Sequence, residues 1–155
     1  MRSAGAQIST ASTSLGTAIG ADGGEAKVDN LIENLKVDEF AAVFFVGGPG
    51  CLKYLDIERS YNLAKEVVAK ERVLGAICIS PVILAKAGVL QGKKATVWSS
   101  AMDKSAIKIL EENGATYQDE GVVVDGKIVT ANGPASARAF GEILVEVLTK
   151  QHSLI

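Results

Sequence analysis

Two cysteines, a single histidine and one glycine-rich loop are the groups through which this 155-residue chain could do chemistry. Cys78 stands in Gly75-Ala76-Ile77-Cys78-Ile79-Ser80-Pro81, where the apolar run Leu74–Ile77 meets a proline. The run reads as a buried strand, and Pro81 suits a first helical turn, where no N–H is needed. Cys78 is therefore expected on a strand-to-helix corner, beside unpaired N–H groups and the positive end of a helix dipole. Thiols placed this way act as nucleophiles or redox groups. The competing reading is a thiol that only packs, because free cysteine is among the most buried residue types.

Gly47-Gly48-Pro49-Gly50 ends the apolar run Ala41–Val46 and leads into Cys51. The loop lacks the Gly-Lys-Ser/Thr ending of a phosphate loop, so nucleotide binding is not expected. Cys51 reads either as a small loop residue or as a second thiol that resolves an oxidised Cys78. Such a bridge needs Cα atoms roughly 4.4–6.8 Å apart. His152 lies in a polar tail and reads as a surface residue, not a base. No set of Cys, His and acidic residues has metal-ligand spacing, so neither a metal nor a cofactor is expected.

The elements that must carry these residues alternate in type. The strand Ala41–Val46 is followed by an amphipathic helix over Asp56–Lys70, with Ile57, Tyr61, Ala64 and Val67 on one face. After the strand ending at Cys78 come a helix over Val82–Ala87 closed by Gly88, a strand over Lys94–Val97 and a helix over Asp103–Asn113. Gly121–Val124 and Lys127–Thr130 flank Asp125-Gly126 as a hairpin. Pro134 opens a last helix, in which Ala137, Phe140, Ile143, Leu144, Val147 and Leu148 recur at helical spacing. The alternation predicts a flavodoxin-like, doubly wound α/β fold: a mostly parallel sheet with helices on both faces. Ligands of such sheets bind beyond the carboxyl ends of the strands, which is where both Gly47–Gly50 and Cys78 fall.

Composition agrees with one domain over residues 1–155. Hydrophobic residues make up 48% of the chain, which suits a sheet buried on both faces and leaves apolar surface for a second subunit. A net charge of −2 without a basic cluster excludes a nucleic-acid footprint. No apolar run approaches the roughly 18 residues of a membrane span. Two cysteines and no secretory leader point to a reducing, cytoplasmic setting.

Four ordered blocks carry a family resemblance: Phe45-Val46-Gly47-Gly48-Pro49-Gly50, Gly75-Ala76-Ile77-Cys78, Ala85 through Thr96, and Asp125 through Pro134. Together they resemble the ThiJ/PfpI family of the class I glutamine amidotransferase-like superfamily, from about Asp38 to Leu148. The resemblance implies that Cys78 sits on a nucleophile elbow. It implies an oxyanion hole from the N–H groups of Gly47, Gly48 and Ile79. It further implies action on small reactive carbonyls, of glyoxalase or deglycase type, through a thiohemiacetal on Cys78. The alternative is a non-catalytic redox or stress sensor, or a chaperone-like member, whose partner is an oxidant. Family membership also implies a homo-oligomer.

Two departures stand against the family pattern. Hydrolase members place a histidine directly after the cysteine, where this chain has Ile79, and others place one near the position of Trp98. Peptidase activity is therefore not expected, since it needs a base for the nucleophile and an acid for the leaving amine. The chain also starts at what resembles the second strand, Gly5–Ala11, without the family's first strand, helix and glutamate; Glu25 and Glu33 do not replace that acid. A missing central strand should leave a trench and unpaired ladder groups, each costing about 1–3 kcal/mol if buried. A shortened product, a rearranged sheet and a gap filled by another subunit all remain open.

Overall fold

The computed structural model describes residues 1–152, with side chains through Lys150. In chain order the elements are β1 Ala11–Ser12, β2 Gly16–Ile19, β3 Glu25–Val28, β4 Asn30–Leu31 and β5 Ala42–Val46. Helices α1 Cys51–Leu55 and α2 Glu58–Ala69 follow, then β6 Val73–Ile77 and α3 Pro81–Lys86. The remainder is β7 Lys94–Ala95, α4 Ser105–Glu112, β8 Thr116–Tyr117, β9 Val122–Asp125, β10 Ile128–Ala131 and α5 Ala137–His152.

The central sheet has the order β5-β6-β10-β9. Its first two pairings are parallel and the last, a hairpin, is antiparallel. Every residue of β6 is buried, as its unbroken apolar run requires of a middle strand. The strand's period of two sorts its side chains between two helix layers. Leu74 and Ala76 join Leu63, Val67, Val82 and Leu110 under α2, α3 and α4, whereas Val73 and Ile77 join Phe140 and Leu144 under α5. Gly75 faces the second layer without a Cβ, and a methyl there would meet Phe44 Cβ at 2.9 Å and the Phe140 ring at 3.0 Å. The helix-on-both-faces architecture is thus observed, with α5 alone on one side.

Four expected boundaries shift. The helix expected over Asp56–Lys70 starts at Glu58 instead, and the short helix α1, not expected, ends before Asp56, whose carboxylate takes the Tyr61 hydroxyl and the Lys86 ammonium between the two. The hairpin turns on Gly126-Lys127 rather than Asp125-Gly126, with Gly126 at φ 62° and Asp125 paired to Ile128. Asp125 stays in strand because its carboxylate accepts the Lys94 N–H at 2.9 Å and faces Lys93 Nζ at 3.4 Å. The Lys94 N–H, more than burial opposes it, holds that carboxyl below its usual range. The strand over Lys94–Val97 pairs only through Ala95; beyond it, the Thr96 N–H turns to Thr130 Oγ1 and the Trp98 N–H to the Cys78 carbonyl. Of the stretch Gly5–Ala11, only Ala11 is paired, in the two-residue ladder with β4.

The amino-terminal third packs differently from the rest. In the β2–β3 hairpin only Val28 is buried, and Ile19 is 72% exposed. Strand β5 pairs with β6 alone among the described strands. Along its outer edge runs a trench of about 590 Å³, lined by Ile8–Ser12, parts of the hairpin, Phe40 and Ala42–Gly47. Val46, on that edge, is 60% exposed.

Candidate functional site: a strained cysteine against a glycine loop

Cys78 adopts φ 68°, a left-handed backbone that non-glycine residues rarely take. Such a conformation costs on the order of 1–3 kcal/mol and persists only where the surroundings impose it. Here they do. The Cys78 N–H donates to the Ala131 carbonyl at 2.9 Å, and its carbonyl accepts the Trp98 N–H at 2.8 Å. One backbone bond fastens the cysteine to the end of β10 and the other to the segment after β7. The side chain is half-buried, on the corner where β6 gives way to α3.

A third clamp is Ser80, a residue whose role the sequence did not single out. Its buried hydroxyl accepts the Ile77 N–H at 3.0 Å and lies 2.9 Å from both the Phe45 and Ile77 carbonyls, to either of which it can donate. It therefore ties the ends of β5 and β6 together directly under the corner. The visible signal was a serine before a proline at a helix start, which suggests an N-cap. No side-chain cap bond forms; the hydroxyl is spent on the strands instead.

Gly47 brings the loop after β5 against the cysteine. A Cβ at this position would stand 2.7 Å from Cys78 Cβ and 2.8 Å from both the Ile77 oxygen and the Ile79 nitrogen. Only glycine permits that approach. The Gly47 N–H donates to the Ile77 carbonyl at 3.1 Å, which corrects its assignment as an oxyanion donor. The physical reason is register: Gly47 continues the β5–β6 ladder by one residue. Gly48 leaves the ladder, at φ 136°. Among the described residues no hydrogen bond engages the N–H of Gly48 or of Ile79.

Cys51 is buried at the start of α1, and its own N–H donates to the Gly48 carbonyl at 3.0 Å. Burial pushes its thiol up to about 11, with smaller contributions from the charges of Cys78 and Asp56. At neutral pH it is a protonated core thiol. Behind it, burial and the Asp56 carboxylate push Tyr61 up to about 12. Burial acts to raise Asp56 itself, but hydrogen bonds from Lys86 and Tyr61 together hold it below the usual carboxylate range. The side chain of His152, expected on the surface, lies outside the described residues. Among the described residues no group of three or more His, Cys, Asp or Glu could hold a metal ion, and no helix is long and apolar enough to cross a membrane.

The fold thus combines a mostly parallel α/β sheet, a left-handed cysteine at a strand-to-helix corner and a glycine loop pressed against it. The sequence matches the model of the DJ-1/PfpI family across residues 1–147, and the chain belongs to that family. The crystal structure of a ThiJ/PfpI domain protein from Brachyspira murdochii is similar, with a TM-score of 0.90 and 36% identity over 96% of this chain and 83% of that one. An uncharacterised protein of Methanocaldococcus jannaschii is 40% identical over 96% of this chain and 71% of its own length. A deglycase of Pyrococcus horikoshii is 29% identical over 96% of this chain and 86% of its own.

Proposed function

We propose that this protein acts on small reactive carbonyl compounds, in the manner of a glyoxalase or deglycase, with Cys78 as the nucleophile. The observation that carries the reading is the left-handed backbone of Cys78, fixed by hydrogen bonds at Ala131 and Trp98. Strain of this kind at a half-exposed thiol marks a position held for reactivity rather than for packing. Similarity to the Pyrococcus horikoshii deglycase supports the substrate class.

In this reading the Cys78 sulfur adds to an aldehyde carbon. A C–S bond forms, and the carbonyl electron pair moves onto oxygen. The resulting alkoxide of the thiohemiacetal is received by the free N–H groups of Gly48 and Ile79, whereas the Gly47 N–H keeps the ladder closed. For a 2-oxoaldehyde, solvent water then moves the C1 proton of the thiohemiacetal to C2, which turns it into a 2-hydroxy thioester. A second water adds to the thioester carbonyl, the C–S bond breaks, and the 2-hydroxy acid leaves as the thiol is restored.

The test is methylglyoxal consumption by the wild type and by Cys78→Ser. Turnover that disappears in the variant, with the fold retained, supports the reading. Turnover that survives overturns it. A wild type without turnover, whose Cys78 is reversibly oxidised by dilute peroxide, transfers the protein to the redox-sensing alternative.

A further inference from the structure

The Cys78 corner is flanked on both sides, because β6 lies between β5 and β10 in the sheet. On the β5 side stands the glycine loop with the free N–H of Gly48. On the β10 side stands Asn132, the residue directly after the strand. The Ala131 carbonyl, in the peptide bond that joins Ala131 to Asn132, accepts the Cys78 N–H at 2.9 Å. The asparagine and the cysteine are therefore neighbours through the ladder.

Three contacts set the Asn132 side chain. Its backbone N–H donates to the Gly121 carbonyl at 3.0 Å. Its Oδ1 accepts the Ser136 hydroxyl at 2.8 Å. Gly121 in turn leaves room for that hydroxyl, since a Cβ there would lie 2.9 Å from Ser136 Oγ. Ser136 immediately precedes α5, so the amide is held on the α5 face of the sheet. The Cys78 side chain packs against Val73, Ile77, Phe140 and Leu144 on that same face. With Oδ1 occupied, the Nδ2 group keeps two protons that no hydrogen bond engages among the described residues. Unlike the buried Thr96 Oγ1, it is not sealed from water. A cap on the turn into α5 would need only the oxygen, which an aspartate supplies equally well; the nitrogen is left over for a ligand.

We propose that Asn132 Nδ2 is the donor for the second oxygen of a 2-oxoaldehyde, so that the site selects an aldehyde with an adjacent carbonyl over a simple one. The inference rests on the carbonyl chemistry proposed for Cys78 and names a further residue of that site. In the thiohemiacetal the C1 oxygen lies with Gly48 and Ile79, and the C2 oxygen lies with Asn132. When water takes the C1 proton, the electron pair of that C–H bond forms the C1–C2 double bond and leaves a negative charge on the C2 oxygen. A donor already in place favours that charge over the neutral carbonyl and lets a base as weak as water suffice. Water then returns a proton to C2. Asn132 itself neither takes nor gives up a proton.

The test compares the wild type with Asn132→Ala and with Asn132→Asp, which keeps an acceptor for Ser136 and has no donor. Methylglyoxal kcat/KM should fall on the order of 10²-fold in both, mostly in kcat. Alkylation read at the Cys78 peptide supplies a measurement that needs no turnover. Iodoacetamide carries a carbonyl beside its reacting carbon and iodomethane does not, so the ratio of their rates reports the donor and cancels changes in the thiol. That ratio should fall about fivefold in both variants. A wild type without turnover in which the ratio still falls removes the catalysis proposed for Cys78 and supports the donor role of Asn132. An unchanged ratio overturns the proposal, and so does an unchanged methylglyoxal kcat/KM.

Discussion

The two edges of β5 lie side by side and could hardly differ more. Towards β6, backbone pairing is complete and continues past the strand into Gly47, with the Ser80 hydroxyl bonded across the gap. Away from β6 there is a trench, an exposed Val46 and a hairpin of which only Val28 is buried. The strained Cys78 corner stands entirely on the first side. A strained cysteine needs over-determined surroundings, and the β5–β6–β10 unit supplies them without help from the elements that precede β5. Variants on the two sides should therefore behave as different classes.

The largest effect belongs to Gly47→Ala. The added methyl would lie 2.7 Å from Cys78 Cβ with backbone on its other sides, so nothing flexible can give way. A loss of about 3 kcal/mol in denaturant titration is expected, and no turnover. A variant with near-normal stability and activity would break the account of the corner. Ser80→Ala comes next. It leaves the Ile77 N–H and the Phe45 carbonyl without the hydroxyl in the core, whereas the Ile77 carbonyl keeps the Gly47 N–H, for about 1–3 kcal/mol, and methylglyoxal turnover should fall with it.

Cys78→Gly separates strain from stability. Glycine accepts φ 68° freely, so melting should hold steady or rise, worth up to about 1 kcal/mol, while turnover is lost. In the same assay series, iodoacetamide at pH 8 should label Cys78 in the native protein and reach Cys51 only after unfolding, as peptide mass spectrometry will read. Cys51 also has a pH signature. Its folded thiol is raised from 9.0 to about 11, so the unfolded chain gives up that proton first. Stability should be intact below about pH 9 and fall as the pH climbs towards 11; Tyr61, pushed up to about 12, adds the same sign at the upper end. Cys51→Ala should flatten the first part of that slope. On the other side of β5, Leu15→Ser, at an exposed position just before the β2–β3 hairpin, should stay within about 0.5 kcal/mol of wild type.

Much of this was legible in the residues. The buried run before Cys78, the proline after it and the glycines after Val46 determine strand, corner and loop, and the corner is where they place it. The Asp125-Gly126 signal found the hairpin and missed its register by one residue, because the Asp125 carboxylate is bound to Lys94, a partner 31 positions away. The oxyanion assignment of Gly47 failed for a related reason. Whether a loop N–H is free depends on how far a ladder runs, and the β5–β6 ladder runs one residue beyond the apolar pattern. Ser80 was hidden because a serine before a proline looks the same whether it caps a helix or bridges two strands.

The Ser80 bridge also bears on how the corner breathes. With its hydroxyl shared between the ends of β5 and β6, the glycine loop and the cysteine turn have no separate route to solvent exchange. Opening either one breaks the bond that holds the other. The amides of Gly47 and Cys78 should consequently exchange with deuterium as one cooperative unit, at a common rate set by the sheet rather than by the loop.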